Sequence, residues 1–228
     1  MTTQAPIPGG LSRAEIQDLV RRALRECLGQ DGATEAPPAP KLVVNISARH
    51  VHLSQEALEK LFGPGSELTV QKELYQEGAF AAEQTVTVFG PRKQMIANVR
   101  VLGPLRSECQ VELSFTDSRF LGIEAPVRLS GNIEGTPGCY LVGPAGGLEI
   151  ERGVIRAARH AHMSPADAAH YGVEDGDRMR LVVESEQGGT LEGILCRVGE
   201  DLALEVHVDT DEGNALDLVH ARNVYLEK

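Results

Sequence analysis

The sequence predicts a mainly β body carrying short helical caps, and three observations predict it. Apolar, β-branched runs recur at short spacing from residue 42 onward, turn residues separate them, and only two intervening stretches suit helices. The runs are LVVNISA (42–48), ELTVQ (67–71), TVTVFG (85–90), MIANVRVLG (95–103), CQVELSF (109–115), VRLSG (127–131), MRLVVES (179–185), LEGILCRV (191–198) and LALEVHVD (202–209). FGP, LGP, EDGD and EQGG mark turns between them. Helices fit SQEALEKLF (54–62) and SPADAAHYG (164–172), so the expected class is all-β or barrel-like with helical caps.

Ahead of this body, Ile16, Leu19, Val20, Ala23, Leu24, Cys27 and Leu28 follow the helical period and predict an amphipathic helix over 12–28. Ser12 and Glu15 form a capping-box pair at its start, and Gly29 suits its stop. The stretch GQDGATEAPPAP (29–40) reads as a flexible linker. A short amphipathic helix on such a tether must dock its apolar stripe on its own body or on another protein.

The 228 residues suffice for a sizeable core. With 22 basic and 33 acidic residues the net charge is −11, which argues against nucleic-acid or anionic-membrane binding through a general basic field. No secretory signal and no membrane-spanning apolar run is read, so an intracellular protein is expected. Cys27, Cys109, Cys139 and Cys196 are widely spaced without a CxxC pair and read as reduced thiols.

One internal repeat carries chemistry. Ala48-Arg49-His50-Val51-His52-Leu53-Ser54 is matched 110 residues later by Ala158-Arg159-His160-Ala161-His162-Met163-Ser164, each copy ending at a serine able to cap the next helix. In an extended strand His50 and His52 share a face, as do His160 and His162, so each pair can pinch one ion. Imidazole suits zinc, whose catalytic sites commonly take three protein ligands; Glu112 and His207, both within β runs, are candidates for the third. His170 and His220 lack such partners and read as surface or boundary histidines.

Between residues 92 and 107 the chain carries Arg92, Lys93, Arg100 and Arg106 without an acidic residue. That local sign inversion suits an anionic substrate, or equally a solvated strand edge protected against pairing. Cys139 is a candidate acyl acceptor but reads better as a core thiol. Neither phosphate-loop glycine pattern is present.

SARHVHLS (47–54), FAAEQTVTVFGP (80–91), VRVLGP (99–104), Arg106 leading into QVELSFTD (110–117), SGNIEGTPG (130–138) and ARHAHMSP (158–165) together resemble the PduL-type phosphate propanoyltransferases of bacterial microcompartments. The resemblance runs over about residues 42–220. It implies two β-barrels capped by short helices, one built from 41–48 plus 158–228 and the other from 49–157. It also implies two zinc ions, one on His50, His52 and Glu112, the other on His160, His162 and His207.

Arg106 matches that family's phosphate-binding arginine. Ile46, Ser47, Ala48, Arg92 or Lys93, Arg100 and Asn214 fall at positions similar to its coenzyme A contacts. The helix over 12–28 resembles an encapsulation peptide that addresses cargo to a microcompartment shell, a setting that includes propanediol degradation. The implied reaction is acyl-CoA plus phosphate giving acyl phosphate plus CoA, in a homodimer by default symmetry. The histidines alone also suit a metal-dependent hydrolase or a non-catalytic zinc-binding scaffold.

Overall fold

The computed structural model describes Val20 and residues 40–228; the helix expected over 12–28 and the linker over 29–40 lie outside the described residues apart from Val20 and Pro40. The body is mainly β, and its two sheets curl into half-barrels. The first runs, edge to edge, through Val43–Ser47 (β1), Glu205–Asp209 (β14), His160–Met163 (β11), Gly189–Val198 (β13), Arg178–Glu184 (β12) and Asn223–Glu227 (β15). The second runs through Val127–Arg128 (β7), Val154–Ala157 (β10), Gln110–Glu112 (β6), His50–His52 (β2), Met95–Gly103 (β5), Phe80–Phe89 (β4), Cys139–Val142 (β8) and Gly147–Ile150 (β9), with Val70–Glu73 (β3) paired to β4.

The repeat seen in the sequence is a repeat of pairing. In one sheet β10 lies parallel to β6, β6 antiparallel to β2, β2 parallel to β5 and β5 antiparallel to β4. In the other, β1, β14, β11, β13 and β12 repeat those four relationships in the same order. The strand that precedes each His-x-His strand is exchanged between sheets: β1 leads into β2 but pairs in the other sheet, and β10 does the same before β11. Both crossovers pass through the Ala-Arg dipeptide, at 48–49 and 158–159.

Each His-x-His strand runs into a capped helix. Ser54 accepts from the backbone N–H of Ala57 at the start of Gln55–Phe62 (α1), which buries Leu58 and Leu61 completely. Each leucine is worth ~1.5–3 kcal/mol of transfer free energy. Ser164 and Asp167 form a capping box on Pro165–Tyr171 (α3), with Pro165 in the first turn, as the sequence leads one to expect.

Two further short helices, Phe115–Leu121 (α2) and Thr210–Ala215 (α4), are not anticipated by the hydrophobic pattern. At two turns each they are too short to display a period, and their caps decide them: Ser114 accepts from the N–H of Asp117, and Asp209 forms a capping box with Glu212. The run 109–115 therefore leaves the sheet after Glu112 instead of continuing as strand. Strands β8, β9, β10 and β15 also lie outside the runs that the pattern picks out.

Two apolar clusters underlie the sheets. Leu53, Leu61, Val88, Leu121 and Leu141 centre one; Met163, Met179, Leu181, Ile194 and Val206 centre the other. Gly153, at φ +117, lets β10 run close against the Cys109 carbonyl, which a Cβ there would approach to 2.4 Å.

Candidate metal centre

Strand register completes what strand period begins. The pairing of β2 with β6 sets His50 opposite Glu112, and that of β11 with β14 sets His160 opposite His207. His52 and His162, two residues along, share those faces. Potential ligand atoms of His50, His52 and Glu112 lie within 4.8 Å of one another, as do those of His160, His162 and His207.

The two copies orient their first histidine identically. Nδ1 of His50 donates to the Ala48 carbonyl and Nδ1 of His160 to the Ala158 carbonyl, both at 2.9 Å. With Nδ1 as the donor, a neutral ring leaves Nε2 as a bare acceptor. In the first copy that Nε2 faces Glu112 Oε2 at 3.4 Å, a contact that either a proton on His50 or a shared cation reconciles. In the second, the rings of His160 and His207 stack with centroids 4.7 Å apart.

Burial is the leading electrostatic force. Together with neighbouring cationic groups it lowers His52 and His162 to about 3 and His160 to about 4. Burial also pulls His50 down, but the charge and hydrogen bond of Glu112 more than offset this and raise it. Burial would raise Glu112, yet His50, His52 and Ser130 hold it well below the usual carboxylate range. Neutral rings at His52, His160 and His162 and an ionised Glu112 are the protonation states that metal ligation requires.

Nδ1 of His52, Nδ1 of His162 and Nε2 of His207 are buried without a hydrogen-bond partner. The converging His₂Glu and His₃ sets fit a divalent ion of the zinc type.

Both triads open on one cavity of about 360 Å³, which Arg106, Ser130 and Arg197 also line. Arg106 is tethered twice, its backbone N–H donating to the Leu53 carbonyl at 2.9 Å and its Nη1 to Ser130 Oγ at 3.0 Å. Ser130 Oγ in turn donates to Glu112 Oε1 at 3.0 Å, which also accepts from Gln110 Nε2 at 2.6 Å. A guanidinium and a candidate metal-ligating carboxylate are thus joined through one hydroxyl.

A family model described as phosphate propanoyltransferase matches residues 43–219. The chain belongs to the phosphate propanoyltransferase family. It is 53% identical over 236 residues to the phosphate propanoyltransferase of Planctopirus limnophila, covering 100% of this chain and 96% of that protein. The protein of that name from Thermotoga maritima is 55% identical over 82% of this chain and 89% of its own. The one from Salmonella typhimurium is 47% identical over 88% and 90% respectively.

In this phosphate propanoyltransferase family member the six candidate ligands and Arg106 come together, as do Ser47 and Ala48, which line the same cavity. The other candidate coenzyme A contacts lie outside its lining. Ile46 packs on the second apolar cluster, where its Cδ1 would stand 2.8 Å from a Cβ at Gly213. Arg92 and Lys93 sit on the β4–β5 turn, and Arg92 Nη1 donates to the Arg119 carbonyl at 2.9 Å. Arg100 donates to the carbonyls of Ala82 and Glu83, while Asn214 is exposed on α4.

Sequence reasoning missed Gln110, Ser130 and Arg197. Gln110 was within reach, since it shares the face of Glu112 two residues away. Ser130 and Arg197 reach the cavity only through tertiary packing. His170 and His220 are exposed, as expected. Cys109, Cys139 and Cys196 are free thiols. Among the described residues, no helix is long and apolar enough to cross a membrane.

Proposed function

We propose that this chain catalyses reversible transfer of a short acyl group, propanoyl or one close in size, between coenzyme A and phosphate, with zinc ions on the two triads. One observation carries the reading: six ionisable ligands and a tethered arginine converge on a single cavity in a chain of net charge −11. The names of the relatives support the same chemistry.

Zinc at these triads would supply Lewis-acid charge for phosphate, for the thioester oxygen and for the departing thiolate. Arg106 binds phosphate through paired N–H donors and aims one of its oxygens at the thioester carbonyl carbon. Ser130 holds the guanidinium at Nη1, so the anion meets a preorganised donor. The phosphate oxygen bonds to the carbonyl carbon, the C–S bond breaks, and sulfur leaves with the electron pair as the coenzyme A thiolate. Direct transfer needs no acyl-enzyme. Ser47 and Ala48, at the end of β1, offer backbone groups to coenzyme A beside the first triad.

The test is thiol release from propanoyl-CoA, with and without phosphate, on metal-replete and chelated protein. Release that requires both phosphate and metal, with acyl phosphate as product, is expected. Phosphate-independent release with free acid would show a hydrolase, and no release with zinc retained would show a scaffold.

The chain is further proposed to be a homodimer within a bacterial microcompartment, addressed there by residues 12–28. Leu19→Glu with Leu24→Glu should abolish association with shell or cargo proteins, measured by co-sedimentation with shells; unchanged association overturns that address. Light scattering reports the oligomeric state.

A further inference from the structure

Glu205 has no part in the reaction above, yet it is a carboxylate only 2% exposed within β14. Two residues before His207 on an extended strand, it shares the face of the second triad, and its partner across β11 is His162. Its Oε2 lies 3.0 Å from Nε2 of His207. Nε2 is thus the nitrogen turned towards the carboxylate, which leaves Nδ1 of His207 to the ion. Its Oε1 accepts from Nδ2 of Asn45 at 3.2 Å, and Asn45 is the β1 residue in register with His207.

The first triad shows what this charge is for. On β6 the residue opposite His52 is the neutral Gln110, and the carboxylate, Glu112, stands two residues on among the candidate ligands. On β14 the order is reversed, with the carboxylate Glu205 opposite His162 and the imidazole His207 among the ligands. Each centre therefore receives one carboxylate from the equivalent strand, at exchanged positions.

We infer that Glu205 is a positioning residue of the second centre: braced by Asn45, its carboxylate orients His207 and supplies the negative charge that a divalent cation on His160, His162 and His207 requires. The inference rests on the reading that this triad holds zinc. Partners that orient metal-ligating histidines typically contribute about 10–100-fold in metal affinity.

The experiment uses the full chain loaded with zinc and compares wild type, Glu205→Gln and Asn45→Ala. Zinc stoichiometry is measured after equilibration against graded chelator, together with release rates to a chromogenic chelator and thermal melts. Two ions are expected in the wild type. In Glu205→Gln one ion should stay at wild-type affinity, reporting an intact fold, while the other is held about 10–100-fold more weakly; Asn45→Ala should move the same ion by less. A Glu205→Gln protein that folds and holds both ions as tightly as wild type overturns the inference. Should that variant fail to fold, Asn45→Ala decides, and wild-type retention of both ions there overturns it. A wild type lacking zinc on the second triad instead overturns the zinc reading itself.

Discussion

His160 and His207 stand opposite each other across an antiparallel strand pair, their imidazoles stacked 4.7 Å apart and within 7° of parallel. The equivalent positions of the first copy hold His50 and Glu112, an imidazole and a carboxylate. One scaffold thus presents two candidate ligand sets of different composition to a single cavity. In the all-imidazole set, burial and the neighbouring rings disfavour protonation of His160 and His162.

The metal-free protein should lose stability on mild acidification. His52, His160 and His162 have folded-state values of about 3 to about 4, below the unfolded value of 6.5. The unfolded chain therefore binds more protons between those limits, and the contribution of these groups is complete above pH 6.5 and lost as pH falls toward 3. His50, raised in the fold, works in the opposite direction but is one group against three. Denaturant titrations of chelated protein from pH 7.5 to 4 should show a steady decline, shallower in His162→Asn. A flat profile would contradict burial of His52, His160 and His162 as neutral rings.

Arg106→Ala should lower kcat/KM for phosphate by about 100-fold or more, the scale set by loss of one preorganised donor. Arg106→Lys should recover only part of this, because an ammonium lacks the paired fork. Initial rates against phosphate concentration measure both, with a thermal melt showing that the fold survives.

Ser130→Ala tests the hydroxyl that joins Arg106 to Glu112. Gln110 still donates to Glu112, so the buried carboxylate loses one hydrogen bond, about 1–3 kcal/mol, while Arg106 Nη1 and Gln110 Nε2 each lose an acceptor. Zinc should leave the first triad more readily and turnover should fall about 10-fold. Metal content and initial rates, taken on the same preparation, check the two effects together.

Cys139 should be dispensable. Burial, with a smaller contribution from Cys109, pushes its thiol up to about 12, so at neutral pH it is no nucleophile. Cys139→Ala should keep turnover within about twofold, as befits a thiol that acts only in packing. Rapid-quench experiments with labelled acyl-CoA should find no acyl-protein. Loss of turnover in a folded variant would reinstate a covalent route.

What the sequence determined by itself was local. The strand period put His50 with His52 and His160 with His162, and Ser54 and Ser164 announced helices because a cap acts within three residues of itself. The two-turn helices at Ser114 and Asp209 escaped for want of length, and β10 because four residues leave no period to read. Tertiary structure alone decided which distant group completes each triad. Glu112 and His207 meet their histidines through antiparallel register, and register depends on how whole sheets bury their faces. It also exchanged β1 and β10 between the sheets. That exchange sets Asn45 beside Glu205 and brings both crossovers to one cavity, a long-range outcome of packing that no window of neighbouring residues encodes.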